Sequence, residues 1–254
     1  MRRHMLMRLR APLVAFGGEA IDRYGVIRDF PALSMITGMI ANALGWDRGE
    51  CGKHDRLQTR LLMGTRLDNS GERLCDFQTA QISRKDSGWT WRGIPESRDG
   101  GEDTYKSPHL RYRDYHAGLD ALVALRLEPA DESPTLADIA RALDRPQRPL
   151  FIGRKPCLPS TRVFAGFIDA EHVLDALLRA PLPPGTPDDA FRIQWPKDEG
   201  TVPEGKTEAL DVCDERNWTS GVHGGWRPVL EMSAKRASFV EHPSISPEFS
   251  YDRA

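Results

Sequence analysis

The spacing of hydrophobic and polar residues divides the chain into short strands and amphipathic helices. Polar and apolar residues alternate over 4–10, which predicts a strand. Apolar residues recur at helical spacing over 34–44, where Ser34 can cap the first turn and Gly45 can end the helix. Gly38 lies inside this predicted helix, where glycine costs about 1 kcal/mol relative to alanine. We therefore expect another part of the chain to pack closely against Gly38.

The remaining pattern alternates strands with helices and ends in an irregular tail. Strands are predicted over 56–67, 73–79, 119–127 and 161–168, and helices from Ser133 to Leu143 and over 169–179. The order strand–helix–strand–strand–helix–strand is the ferredoxin-like plan. We therefore predict an α+β fold with a ferredoxin-like domain over 1–180, a linker, and a small β-rich C-terminal region over 187–254.

A polar, aromatic-rich segment over 81–118 separates the two middle strands. A structureless loop of this length is uncommon in a compact domain, so we predict a projecting arm, most simply a β-hairpin. Its aromatic residues alternate with cations, as in surfaces that stack bases and hold phosphates. A hydrophobic cluster that pins the arm to its own body, or a protein interface, remains an alternative. Its cations are Arg84, Lys85, Arg92, Arg98, Lys106, Arg111 and Arg113.

Composition narrows the class of protein. The 254 residues are 39% hydrophobic and carry a formal net charge of −2, which argues against a disordered chain and against a protein whose whole surface is cationic. No sequence window approaches the ~20 apolar residues that span a bilayer. The four cysteines are scattered and form no CxxC pair, as expected of reduced thiols in a cytoplasmic protein.

Positive charge is concentrated locally in spite of the balanced total. The segment 145–162 contains five cations and no acid, and Gly153 next to Arg154 and Lys155 would let backbone N–H groups approach an anion. If all five cations met single-stranded phosphates, the salt slope of binding would be about −3.5. A solvated basic loop is the plain alternative. A second acid-free set, Arg2, Arg3, Arg8 and Arg10, lies at the N-terminus, and Arg8 and Arg10 would share one face of the first predicted strand.

Motifs for enzymatic chemistry are largely missing. The chain has no P-loop, GxGxxG, GxSxG or HExxH motif. Cys51 and His54 are metal-type ligands, but no second pair follows at zinc-site spacing. His109 and His116 flank the end of the arm, and such groups can cleave RNA by acid–base catalysis without a metal. Nothing in their spacing requires it.

Several segments together resemble the CRISPR-associated family five, the CasD-type subunits of type I-E Cascade. The matching segments fall in order over about the first 170 residues, and the combination of the helix motif with the GRKPC motif is the most specific part. They are LRAPLVAFGG (9–18), FPALSMITGMIANALG (30–45), CDFQTA (75–80), RYRDY (111–115) and RPLFIGRKPCLPS (148–160).

The resemblance implies an RRM/ferredoxin-like domain with a protruding β-hairpin thumb, here 81–118, and a glycine-rich loop at 153–155. Members of this family hold the 5′ handle of the crRNA and cap one end of the guide filament. The partners implied are the CasC backbone subunit, the CasA large subunit and, through the complex, target DNA. The resemblance implies no interaction with a membrane.

The resemblance therefore predicts an RNA-binding protein with no catalytic residue, cofactor or metal. Type I-C relatives process repeat RNA themselves, so a metal-independent endoribonuclease using Tyr24, His109 and His116 is the alternative. The residues predicted to contact RNA are Arg8, Arg10, Gly17, Gly18, Ser34, Gly38, Arg84, Lys85, Trp91, Arg111, Arg113, Gly153, Arg154 and Lys155.

Overall fold

The computed structural model describes residues 1–21, 23–80, 109–183, 191–200 and 207–234. Within these residues the chain forms two β-sheets and four helices. The strands of the larger sheet are β1 (Arg2–Arg10), β5 (Leu61–Asn69), β8 (Asp120–Leu127), β9 (Phe164–Ala170), β10 (Phe191–Pro196), β11 (Thr207–Val212) and β12 (Arg227–Ala234). The helices are α1 (Leu33–Ala43), α2 (Cys51–Arg60), α3 (Leu136–Asp144) and α4 (Val173–Arg179).

The larger sheet has the strand order β11-β12-β10-β5-β8-β1-β9, and all its strand pairs are antiparallel. Helices α1 and α2 connect β1 to β5, and α3 connects β8 to β9. Strand β1 is buried on both faces, which explains its unbroken buried run. Met5, Met7 and Leu9 pack in one hydrophobic cluster with α1, whereas Leu6 packs in a second with α4. Full burial of one such side chain contributes about 1.5–3 kcal/mol.

The smaller sheet contains the two strands that flank the arm residues 81–108, and we call these two strands, residues 72–80 and 109–117, the foot of the arm. The strands of the smaller sheet are β2 (Leu13–Val14), β3 (Gly17–Ile21), β4 (Tyr24–Ile27), β6 (Glu72–Ala80) and β7 (His109–Ala117). Strands β6 and β7 form an antiparallel ladder from Glu72 opposite Ala117 to Ala80 opposite His109. The arm residues 81–108, which join these strands, lie outside the described part of the chain.

Several predicted elements begin at the wrong residue. The strand predicted over 161–168 begins at Phe164, and the helix predicted over 169–179 begins at Val173, because residues 169–170 still belong to β9. Residues 56–60 belong to helix α2, not to the predicted strand 56–67, and β5 begins only at Leu61. The polar sequence of α2 buries His54, Leu57 and Gln58, which share one helical face. Helix α1 begins at Leu33 with Ala32 as its N-cap, so Ser34 lies inside the helix and does not cap it.

The predicted boundary after residue 180 does not separate two bodies. Strand β10 pairs with β5 through Arg192 opposite Leu67, so the C-terminal strands extend the main sheet. Trp195 of β10 is fully buried and packs in the same hydrophobic cluster as α4. Among the helices that the structure describes, none is both long and apolar enough to cross a lipid bilayer.

Candidate nucleic-acid interface

A tight turn at Gly153 docks on the segment that follows β2. Gly153 has a φ of +86°, and a Cβ at this position would lie 1.7 Å from the carbonyl oxygen of Ala15. The Ala15 N–H donates to the Ile152 carbonyl (3.3 Å), and the Ile152 N–H donates to the Cys157 carbonyl (2.7 Å). Glycine alone combines this φ with this close approach. The sequence segments 9–18 and 148–160 therefore meet in space.

Arg154 leaves this turn toward the foot of the arm. Its Nη1 donates to the Asp114 carbonyl of β7 (2.8 Å), and its Nη2 donates to the Gly25 carbonyl of β4 (2.7 Å). Its guanidinium lies 4.8 Å from the ring centre of Tyr115. A Cβ on Gly25 would lie 2.8 Å from both Arg154 Nη2 and Arg113 Nη1. The side chains of these two arginines, both predicted to contact RNA, therefore lie together beside this glycine. Arg154 is thus a structural anchor as well as a cation.

Lys155, the next residue, has the opposite character. Its side chain is exposed at the surface of the turn. Within the described residues it makes no ion pair or hydrogen bond, so its ammonium group is available to an anion. The sequence predicts the same contact with RNA for Arg154 and Lys155, but their surroundings differ. Arg154 holds the turn in place through its hydrogen bonds, and Lys155 leaves its charge exposed beside the turn.

Gly153 also lines a cleft of about 430 Å³ between α1, the 148–153 segment and the C-terminal segment 216–218. The cleft brings Gly153 together with the predicted residues Ser34 and Gly38. Its charged residues are all arginines, Arg48, Arg148 and Arg216, and none of its described lining residues is acidic. The other lining residues are Met35, Met39, Asn42, Trp46, His54, Phe151 and Trp218.

Trp218 supplies the close contact expected at Gly38. Its ring lies 3.4 Å from the position of a Cβ on Gly38. The indole Nε1–H donates to Oε1 of Gln58 (3.2 Å), and the ring lies 4.6 Å from that of His54. Gly38 therefore accommodates the C-terminal segment. Gly38 also lines the cleft, and its predicted contact with RNA stays a prediction.

The amino terminus of α1 is already occupied by a side chain of the protein itself. Asp214 Oδ2 accepts from the Leu33 N–H (3.0 Å), and the Asp214 carbonyl accepts from the Ser34 N–H (3.0 Å). Asp214 also pairs with Arg227 through two hydrogen bonds of 2.8 Å. Ser34 is buried, so the predicted phosphate contact of Ser34 at this helix end is wrong.

Arg8 is buried in an internal ion-pair network. It lies 2.6 Å from Asp68 and 2.6 Å from Asp120, and the residue is 8% exposed. Burial acts to lower the pKa of Arg8, but the charges of the two aspartates outweigh it and raise the pKa. The two aspartates therefore neutralise the charge of Arg8 inside the fold, and the predicted contact of Arg8 with RNA is wrong. Arg10, on the same strand face, remains exposed at the end of β1.

The remaining predicted contacts fall on the arm or on β3. Gly17 is exposed, Gly18 packs against Val26, and Arg111 is exposed and donates to the Leu110 carbonyl (2.8 Å). Arg113 meets Arg154 as described above. Arg84, Lys85 and Trp91 lie outside the described residues.

The predicted cluster of five cations is partly neutralised. Arg162 pairs with Asp144, and Arg148 pairs with Asp47 at 2.6 Å. Asp144 directly precedes the 145–162 window and Asp47 lies far before it in the sequence, so the window itself includes neither acid. The salt slope of about −3.5 that assumed five free cations is therefore too steep.

Arg48 and Arg216 are the cleft residues that the sequence analysis missed. Each lies next to an acid in the sequence, Asp47 before Arg48 and Glu215 before Arg216, so neither belongs to an acid-free run. The fold separates the charges: Asp47 pairs with Arg148, and Glu215 packs against Gly225. No local signal in the sequence identifies this rearrangement.

Two residues of the alternative nuclease, Tyr24 and His116, lie apart in the fold. His116 is 4% exposed, and its Nε2 lies 2.9 Å from the Arg28 carbonyl. Tyr24 pairs with Tyr112, four residues along β7 from His116, and stacks on its ring at 5.2 Å. Four residues of strand span about 13 Å. The side chain of His109 lies outside the described part of the structure.

Known proteins similar to this chain point to one family. Residues 5–230 match the family described as CRISPR-associated protein (Cas_Cas5). The Cascade subunit CasD of Escherichia coli strain K12 is 24% identical over 186 residues, which are 70% of this chain and 77% of that protein.

Solved structures share the fold. A chain of a CRISPR RNA-guided surveillance complex is similar with a TM-score of 0.64 and 20% identity, over 97% of this chain and 95% of that chain. A second solved structure, of a Cas protein, has a TM-score of 0.60 and 21% identity, over 95% of this chain and 100% of that chain. The match over 5–230 covers most of the sequence, and the chain therefore belongs to the CRISPR-associated Cas5 family.

Proposed function

We propose that this protein is a non-catalytic crRNA-binding subunit of a type I-E Cascade surveillance complex, where it holds the 5′ handle of the guide and caps the backbone filament. The observation that carries the proposal is the placement of the Gly153 turn. It connects the foot of the arm, through Arg113 and Arg154, to an arginine-lined cleft without an acidic residue. The names of the similar proteins, a Cascade subunit and an RNA-guided complex, support the same context.

This geometry suits a single-stranded RNA. Exposed cations at Lys155 and in the cleft attract phosphates, and the glycine turn lets the RNA backbone approach the protein backbone closely. Neither feature distinguishes one base sequence from another. The target is then selected by pairing with the guide, and the protein fixes the position of the guide's first nucleotides.

The proposal includes two finer features of the fold. We infer that β5, β8, β1 and β9, in the order that they follow in the sheet, are the ferredoxin-like/RRM unit. We infer as well that the β6–β7 ladder is the base of a β-hairpin thumb formed with residues 81–108. Both inferences rest on strand order and on the antiparallel β6–β7 pairing.

The same proposal assigns protein neighbours. Strand β6 is exposed along nearly its whole length, and Phe77 and Leu74 are 54% and 44% exposed. The two residues are three positions apart, so their side chains point to opposite faces of β6. We assign this exposed strand to the contact with a neighbouring CasC subunit, with CasA nearby and target DNA reached only through the assembled complex. The cytoplasm is the compartment that this assignment requires.

We propose no catalytic role, because the buried His116 and the distant Tyr24 cannot act on one phosphodiester. Incubation of the protein with repeat RNA in EDTA tests this part. Intact RNA is the expected result. A single specific cut would establish the metal-independent endoribonuclease in its place.

Binding of fluorescently labelled repeat RNA to the purified full chain tests the RNA-binding role. We expect binding that weakens with salt, with a log–log slope of about −0.7 for each phosphate contacted. Competition with duplex DNA of the same sequence is the control, and it should displace the RNA poorly. Absence of salt-sensitive binding to the single-stranded RNA would refute the proposed function.

A further inference from the structure

The C-terminal segment that forms one wall of the cleft is rigidly held. The backbone N–H of Arg216 donates to Gln58 Oε1 (3.2 Å), and the Arg216 carbonyl accepts from Gln58 Nε2 (3.1 Å). Trp218 binds the same Gln58 oxygen and packs on His54. One residue of α2 thus fixes the backbone on both sides of Arg216. The guanidinium of Arg216 lies 5.4 Å from the ring centre of Trp218, so its position is largely set before any ligand arrives.

Two guanidinium groups meet at this wall. Gly221 has a φ of +76°, and a Cβ there would lie 3.1 Å from Arg216 Nη2 and 3.8 Å from Arg48 Nη2. Both arginines therefore approach one point at the mouth of the cleft. Their charges repel each other, and an arrangement of this kind is stable only if solvent or a bound anion compensates the repulsion.

No carboxylate of the described chain compensates these two arginines. Of the nearby acids, Asp47 pairs with Arg148, Asp214 with Arg227 and Glu50 with Lys53, whereas Glu215 lies against Gly225 and makes no ion pair with Arg216 among the described residues. The Nε of Arg216 is buried and has no hydrogen-bond partner in the described part of the protein. Burial lowers the pKa of Arg216, and the charge of Arg48 lowers it further. The fold therefore holds donors and positive charge at this site that an anion would satisfy.

A phosphate is the anion that fits this arrangement. It accepts hydrogen bonds from two guanidinium groups at once, and arginine forks match its oxygen geometry. The site opens into the same cleft as Gly153, which the proposed function assigns to RNA. A carboxylate of a protein neighbour also offers two acceptor oxygens. The phosphate is therefore favoured by the continuity of this site with the Gly153 turn in one cleft, not by the number of oxygens.

We propose that Arg48 and Arg216 form a phosphate site that binds a backbone phosphate of the guide RNA, so that the C-terminal segment is part of the RNA interface. This inference rests on the proposed function and adds a second anchor to the Gly153 turn. It places one of the two arginines, Arg216, in a part of the chain beyond residue 160, where the last sequence segment resembling the family ends.

Fluorescence anisotropy with labelled single-stranded repeat RNA tests the phosphate site. We expect R48A and R216A each to weaken binding about tenfold at 0.1 M NaCl, and each to make the salt slope shallower by about 0.7. R216K, which keeps the charge, should recover part of the affinity. R141A, which removes an exposed arginine of α3, is the control and should bind as the wild type does. Thermal unfolding of each variant checks that it is folded. Because Arg48 is exposed, R48A should keep the fold, and its RNA affinity tests the phosphate site even if R216A unfolds.

The outcomes separate this inference from the function on which it rests. If the wild type binds the RNA and both alanine variants bind like R141A, the phosphate site is wrong and the RNA-binding role stands. If the wild type fails to bind, the proposed function falls and the phosphate site falls with it.

Discussion

The carbonyl oxygen of Ala15 lies 1.7 Å from the point where a side chain on Gly153 would begin. This contact joins the segment after β2 to the turn that carries Arg154 and Lys155. The same turn forms an edge of the arginine-lined cleft, so its position controls the geometry of the whole candidate interface.

Substitution of Gly153 by alanine should therefore displace the turn. A positive φ costs a non-glycine residue about 1–3 kcal/mol, and the clash with Ala15 adds to this. We expect G153A to lower the free energy of unfolding by about 3 kcal/mol and to abolish RNA binding, measured by urea denaturation and anisotropy. The control is G52A in α2, where a Cβ meets nothing within 4 Å. G52A should be neutral or stabilising by up to about 1 kcal/mol, and an equal loss in both variants would contradict the account.

Arg154 and Lys155 should behave differently when each is replaced by alanine. R154A removes hydrogen bonds to two carbonyls and should destabilise the fold by about 2 kcal/mol, because such charged hydrogen bonds contribute about 1.5–3 kcal/mol. K155A should change stability by less than about 0.5 kcal/mol, yet weaken RNA binding and make its salt slope shallower by about 0.7. Thermal unfolding and anisotropy measure the two effects. Equal stability of the two variants would show that Arg154 is not an anchor.

Asp214 should be important for stability because it serves α1 and Arg227 together. D214N removes the charge from a buried pair, which costs about 3 kcal/mol, and weakens the cap of the helix. Denaturant unfolding of D214N measures the loss. D211N, at an exposed position of β11, is the matched control and should stay within about 0.5 kcal/mol of the wild type. If D214N matches D211N, the tail does not fasten the amino end of α1.

Stability should depend on pH through Glu199, which binds the buried Arg126 and accepts from the Val173 N–H (3.2 Å) at the start of α4. Burial acts to raise the pKa of Glu199, but the hydrogen bonds and charge of Arg126 outweigh it and lower the pKa. The folded state thus binds the proton less readily than the unfolded state, whose glutamate pKa is about 4.3. This stabilisation is fully present above that value and is lost as the pH falls through the lower folded pKa.

Urea denaturation of E199Q between pH 3 and 7 tests this linkage. At pH 7 we expect E199Q to be less stable than the wild type by about 3 kcal/mol, and the difference should shrink as the pH falls below about 4.3. E128Q is the control, because Glu128 pairs with the same Arg126 but is exposed. It should cost less than about 1 kcal/mol. A difference for E199Q that stays constant down to pH 3 would disprove the linkage.

The sequence predicted the elements whose signals are local. The alternation over 4–10 correctly separated Met5, Met7 and Leu9 from Leu6, and the apolar spacing located α1 to within one residue at either end. Helix α2 was missed because its sequence is mostly polar and buries only a narrow face. The pairing of β10 with β5 joins residues more than 120 positions apart, and no local pattern encodes such a contact.

Whether an arginine is paired or free could be predicted only where its acidic partner lies close to it in the sequence. Arg8 belongs to an acid-free run, yet its partners Asp68 and Asp120 arrive from β5 and from the start of β8. Arg48 and Arg216 follow Asp47 and Glu215 in the sequence, yet in the fold Asp47 pairs with Arg148 and Glu215 lies against Gly225. The Gly153 turn was predictable because glycine beside two cations is itself a local signal. The wall of the cleft that faces it depends on tertiary contacts.

Hydrogen–deuterium exchange of the full chain, with and without single-stranded repeat RNA, tests the central claim most directly. RNA bound between the turn and the cleft should slow amide exchange in 149–157, in the first turns of α1, and in 213–218, and should leave α4 and β10 unchanged. Protection that avoids the Gly153 turn, or that is absent at saturating RNA, would contradict the account.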